Sequence, residues 1–101
     1  MSCQRRQSHE TRFREALGEA GARLEQLRFL VERRGVDARM ELERRLDTAR
    51  GLHNRALARI EAARQASEDG WPFARAQADH TLSELVQALD ELEGHLARAV
   101  A

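Results

Sequence analysis

One rhythm of apolar and small residues runs along almost the whole chain and breaks sharply only once. Phe13, Leu17, Ala20, Leu24, Leu27, Val31, Gly35, Ala38, Leu42, Leu46, Ala49, Leu52, Ala56, Ile60 and Ala63 follow one another at spacings of 3 or 4. The segment Ser67-Glu68-Asp69-Gly70-Trp71-Pro72 interrupts them, and Ala78, Leu82, Leu85, Leu89, Leu92, Leu96 and Ala99 resume the pattern. Such spacings put side chains on one side of an α-helix and do not suit the period of two of a strand. The fold class is therefore all-α. The residues expected to carry helix packing are Phe13, Leu17, Leu24, Leu27, Val31, Leu42, Leu46, Ile60, Trp71, Leu82, Leu85, Leu89, Leu92 and Leu96.

Two architectures fit this seam. In the first, residues 1–8 are a disordered tail and 9–101 form one helical domain. One long helix then spans about 9–67, and a helix over about 72–99 returns along it as an antiparallel coiled-coil hairpin. In the second, Gly35 of Arg33-Arg34-Gly35-Val36-Asp37 ends one helix and Asp37 caps the next, giving a three-helix bundle with helices near 9–34, 37–67 and 72–99. The seam keeps its phase through Val31, Gly35 and Ala38, and a lone Gly costs only about 1 kcal/mol inside a helix. That favours the long helix. Such a helix would be about 90 Å long and its return arm about 42 Å. The stripe from Phe13 to Val31 would then lie bare, which implies an antiparallel homodimer.

At 101 residues the chain is one domain at most. Apolar residues make up 42% and charged residues 34%, which suits narrow helix seams better than a thick core. The formal net charge is zero, but residues 1–64 hold 15 Arg against 10 acids and residues 65–101 hold 2 Arg against 7. This asymmetry points to pairing between the last helix and the rest, within or between chains. A protein built to coat nucleic acid would carry net positive charge, so nucleic acid is not the expected partner. The single cysteine, Cys3, precludes an intrachain disulfide. With no apolar leader and no long apolar run, the expected location is the cytoplasm.

Residues that carry chemistry are sparse. His80–Glu84 and Glu91–His95 could hold a metal weakly, but real zinc sites place ligands more densely. Arg5-Arg6, Arg33-Arg34 and Arg44-Arg45 could touch phosphates, but no aromatic is interleaved to stack bases. Glu10–Arg14, Glu19–Arg23 and Glu41–Arg45 are expected as i,i+4 ion pairs. Trp71 and Phe73 would plug the bundle end or form a partner-binding knob. Narrow seams should leave no concavity of about 300 Å³ or more, so no enzyme and no cofactor or metal is expected.

The segment Ala66-Ser67-Glu68-Asp69-Gly70-Trp71, followed by Arg75, Asp79, Leu85 and Leu89, resembles a family of small bacterial coiled-coil proteins. In that family an Ala-Ser-x-Asp-Ala-Trp segment separates a long charged helix from a shorter amphipathic one. Asp37-Ala38-Arg39-Met40-Glu41-Leu42 resembles its helix interior, and the likeness covers roughly residues 13–95. Leu82, Gln77, Pro72 and Gly35 depart from the family's usual residues. Some cyanobacterial members are linked with stress response, so the resemblance implies a stress-associated or scaffold role. The expected function is a non-enzymatic helical interaction or scaffold protein that self-associates and meets a protein partner. The alternative is a nucleic-acid-associated or regulatory protein using the Arg-rich first arm.

Overall fold

The seam does not run straight through residue 35. The computed structural model describes residues 2–100 and shows three helices: α1 (Ser2–Glu32), α2 (Val36–Gln65) and α3 (Trp71–Val100). No strand occurs among the described residues. The molecule is a rod of 53 × 17 × 15 Å, far shorter than a continuous helix over 9–67 would be. The three-helix alternative therefore replaces the long-helix hairpin.

The first turn is made without a left-handed residue. The N–H groups of Arg33 and Arg34 donate to the carbonyls of Leu30 (3.3 Å) and Val31 (3.1 Å), tightening the end of α1 into i→i+3 bonds. Gly35 is extended (φ −67°, ψ 162°) and serves as N-cap of α2, where Asp37 had been expected in that place. Asp37 sits in the first turn instead, where its charge favours the helix N-terminus. Breaking the helix forfeits a few backbone bonds of about 0.5–1.5 kcal/mol each. In return Phe13, Leu27 and Val31 are buried to 3%, 2% and 0% exposure, worth roughly 1.5–3 kcal/mol apiece. Burial wins. The stripe reserved for a second copy is thus covered within the chain, and the argument for an antiparallel homodimer through it falls away.

The second turn lies where the sequence breaks. Ala66 ends α2 in an extended conformation, the Gly70 N–H donates to Ser67 Oγ (3.2 Å), and the Trp71 N–H donates to the Ser67 carbonyl (2.9 Å). Pro72 falls in the first turn of α3, which needs no N–H there. Trp71 is itself the first helical residue, although a proline disfavours the helical region for the residue before it. No residue described, glycine included, has a positive φ.

The helices run up, down and up. Arg6 near the start of α1 meets the end of α2. His9 meets Trp71, and Arg23 meets Asp90 and Glu93 further along α3. The α2–α3 interface is the most extensive of the three. One core runs through all three helices, with Leu85, Leu89 and Leu92 fully buried at its centre. Leu42, Leu46, Leu82 and Leu96 are buried beside them, and Leu17, Leu24 and Ile60 pack partly buried against the same core. Thr81 is the one buried polar residue among those described, and its hydroxyl donates to the Gln77 carbonyl (3.0 Å). At Gly21 a Cβ would meet His53 Nε2 at 3.1 Å, so glycine permits the close approach of α1 and α2 there.

Replacing Leu89 by Ala removes a side chain with no exposed surface. Urea unfolding should show a loss of about 2–5 kcal/mol. The same change at exposed Leu57 should cost well under half of that.

Candidate interaction site

Helix α1 does not begin near His9. It begins at Ser2, so residues expected as a tail are helical, and Arg6 shows why. Its Nη2 lies 3.0, 3.2 and 2.5 Å from the carbonyl oxygens of Ala63, Arg64 and Ala66. Ala63 and Arg64 lie in the last turn of α2 and Ala66 is its C-cap, where carbonyls outnumber the helix's own donors. Arg6 therefore caps α2 from α1, and its Nε is 3.5 Å from Glu10. Glu10 is thereby turned toward Arg6 and away from the expected Arg14.

Around this cap sits an aromatic and cationic corner. Trp71 is half-buried, with the His9 ring edge-on at 5.4 Å and the guanidinium groups of Arg6 and Arg75 over its ring at 5.6 and 5.8 Å. The contact closes one end of the bundle, while Phe73, the other aromatic of the turn, remains exposed. The Trp71 indole N–H is buried without a hydrogen-bond partner among the described residues. His9 also lies 6.1 Å from Phe13. Burial, then the charges of Arg75 and Arg12, lower its pKa below 6.5, against a weaker opposing effect of Asp79.

From this corner an open groove of about 940 Å³ runs between α1 and α3. This corrects the expectation that narrow seams leave no concavity. Its floor contains Phe13, Ala16, Leu82 and Val86, and its α1 rim carries Arg12, Glu15 and Glu19. On the α3 rim Arg75 holds Asp79 (3.3 Å). At the far end Arg23 crosses to Asp90 (2.6 Å) and Glu93 (2.9 Å). Those carboxylates, Asp90 foremost, raise the pKa of Arg23. Arg23 was expected to pair with Glu19. It has more to gain from two carboxylates on another helix, and Glu19 is left without an ion pair among the described residues. One arginine of the basic first part is thus paired with two carboxylates of the acidic last helix inside one chain.

The other pairs stay local. Glu41 is 3.2 Å from Arg45, as expected, and 2.6 Å from Arg44. Arg28 joins Glu25 and Glu32, Arg39 joins Glu43, and Arg64 joins Glu61. Of the three double-arginine steps, Arg6, Arg44 and Arg45 are engaged by carbonyls or carboxylates and Arg33 lies over Phe29 at 5.1 Å. His80 lies 3.8 Å from Glu84, whereas His95 sits near Glu41 of α2. No three His, Cys, Asp or Glu side chains converge among the described residues. Among the described residues no helix is long and apolar enough to cross a membrane.

Sequence reasoning missed the outward-facing apolar residues. Phe29, Leu30, Val36 and Met40 flank the α1–α2 turn and are 55%, 43%, 85% and 80% exposed. Each is out of phase with the seam, which is the signal that could have found them. Compared with protein-family models, curated proteins and solved structures, the chain matches none.

His9 supplies a pH prediction. Its folded pKa is depressed, so the folded state binds fewer protons than the unfolded chain around pH 6. Its contribution is fully present above about 6.5 and is lost as pH falls through the folded value. The thermal midpoint should drop between pH 7.5 and 5, and the drop should shrink in His9→Gln. An identical drop in both proteins would contradict this.

Proposed function

We propose that the chain is a non-enzymatic helical interaction module that acts by association through its outer faces. The observation that carries this reading is the set Phe29, Leu30, Val36 and Met40, exposed at one end of a rod whose core is already filled. Large apolar side chains gathered at one place on a soluble surface mark contact sites more often than isolated ones do. The bundle needs no second copy to cover its seam, so self-association would use these residues and not Leu24 or Leu27. The stress-associated, scaffold-like role implied by the family resemblance is compatible with such a module.

Two features speak against other readings. The Arg-rich arm spends Arg6, Arg23 and Arg28 on carbonyl or carboxylate groups, which leaves less free charge for phosphates. Asp79, in the groove beside His9, is held by Arg75 and does not orient the imidazole as a base.

Light scattering over a concentration series tests the proposal. The wild type should show a concentration-dependent rise above its 11.5 kDa chain mass. Phe29→Asp with Met40→Asp should abolish the rise while leaving the far-ultraviolet circular dichroism unchanged, because both positions are exposed. A wild type that stays at chain mass throughout would remove self-association from the proposal.

A further inference from the structure

We propose that the groove between α1 and α3 receives an amphipathic helix of a partner protein, one bearing two basic side chains four residues apart beside an apolar seam. This rests on reading the chain as an interaction module and names the partner's chemistry. The starting observation is the placement of Arg23. It reaches across to Asp90 and Glu93 and leaves Glu19 without the cation four residues on. Glu15 lies four residues before Glu19 on the same rim, and it too has no ion pair or hydrogen bond among the described residues. Like charges at this spacing repel along a helix. Two cations at the matching spacing on a facing helix would relieve that repulsion.

The floor supplies the apolar half of the match. Val86 is 44% exposed beside Leu82 and Ala16. Apolar anchors in a groove with charged flanks are how helices are recognised by grooves. The α3 wall from Arg75 to Asp90 is about 22 Å long, or roughly four turns of a docked helix. Arg12 begins the same rim with the opposite sign, so an acidic residue toward the Trp71 end would fix the direction of the guest. A phosphate backbone is not the occupant, because the unpaired rim charge is mainly negative. A second copy is disfavoured as well. The chain's one pair of arginines four residues apart is Arg55 and Arg59, and Arg59 is already bonded to Gln77. The area on offer is small, so the complex should be weak and its specificity electrostatic.

The test titrates the full chain with two synthetic amphipathic helices of 18 residues at low salt. They share one apolar seam, and one carries two Lys four residues apart where the other carries two Glu. Fluorescence of Trp71, the chain's single tryptophan, reads binding from the end of the groove, where it packs on the groove residues His9 and Arg75. The Lys peptide should bind about tenfold tighter than the Glu peptide. Glu15→Lys with Glu19→Lys should reverse the order, and Val86→Asp should weaken both. All three positions are exposed, so circular dichroism should stay unchanged. Equal binding of the two peptides, no binding of either, or no reversal in the double variant would overturn the proposal. So would a chain whose own dimer is dissolved by Val86→Asp, because the occupant would then be a second copy. Self-association through Phe29 and Met40 in a chain that ignores both peptides would sink the groove proposal and leave the interaction reading standing.

Discussion

The apolar stripe of α1 needs cover, and the rest of the structure follows from how it gets it. Phe13, Ala20, Leu27 and Val31 are buried only because the chain reverses at residues 33–35 and lays α2 and α3 against them. A straight helix would keep every backbone bond and leave those side chains in water. The hydrophobic gain exceeds the cost of two helix ends, and the chain folds on itself. Space does not require glycine at residue 35, since a Cβ there would meet nothing within 4 Å. Its backbone angles are accessible to any residue.

Helix content and the seam were legible from the 3–4 spacing, and so was the turn at Trp71. Pro72, Gly70 and Ser67 each favour a break there, and all three fall in it or in the first turn after it. The turn at Gly35 was legible only as an alternative. A seam that keeps phase across a break looks continuous, and the deciding quantity is burial of residues far apart in sequence. Local propensity cannot report that. The same limit hid the start of α1. Residues 2–8 have a polar, tail-like sequence, and Arg6 is anchored by carbonyls nearly 60 positions away.

The charged surface shows a related pattern. Spacing within a helix identified Glu41 with Arg45 but missed Glu10 and Arg23, whose partners are decided by tertiary approach or by competition among neighbours. Arg23 bridges α1 to α3 at one end, and the His9–Trp71 contact bridges them at the other. Between these two ties the groove lies on the outer side of the α1–α3 contact, above the shared core. The packing that completes the core thus also leaves a concave strip, with an apolar floor and two glutamates, Glu15 and Glu19, that have no ion pair among the described residues. The exposed Phe29 and Met40 arise for the same reason, because a seam facing inward leaves every residue out of phase with it facing solvent.

The turn at residues 33–35 is the centre of this account, and a distance across it tests it most directly. Arg14 and Arg55 are exposed and lie at the same level of α1 and α2, which run antiparallel. Spin labels on cysteines at these two positions, with Cys3 replaced by Ser, can be measured in a sample diluted with excess unlabelled chain. Helices packed about 8–10 Å apart should give a label separation on the order of 10–25 Å. A separation near 60 Å, the length of 41 residues of unbroken helix, would contradict the bundle.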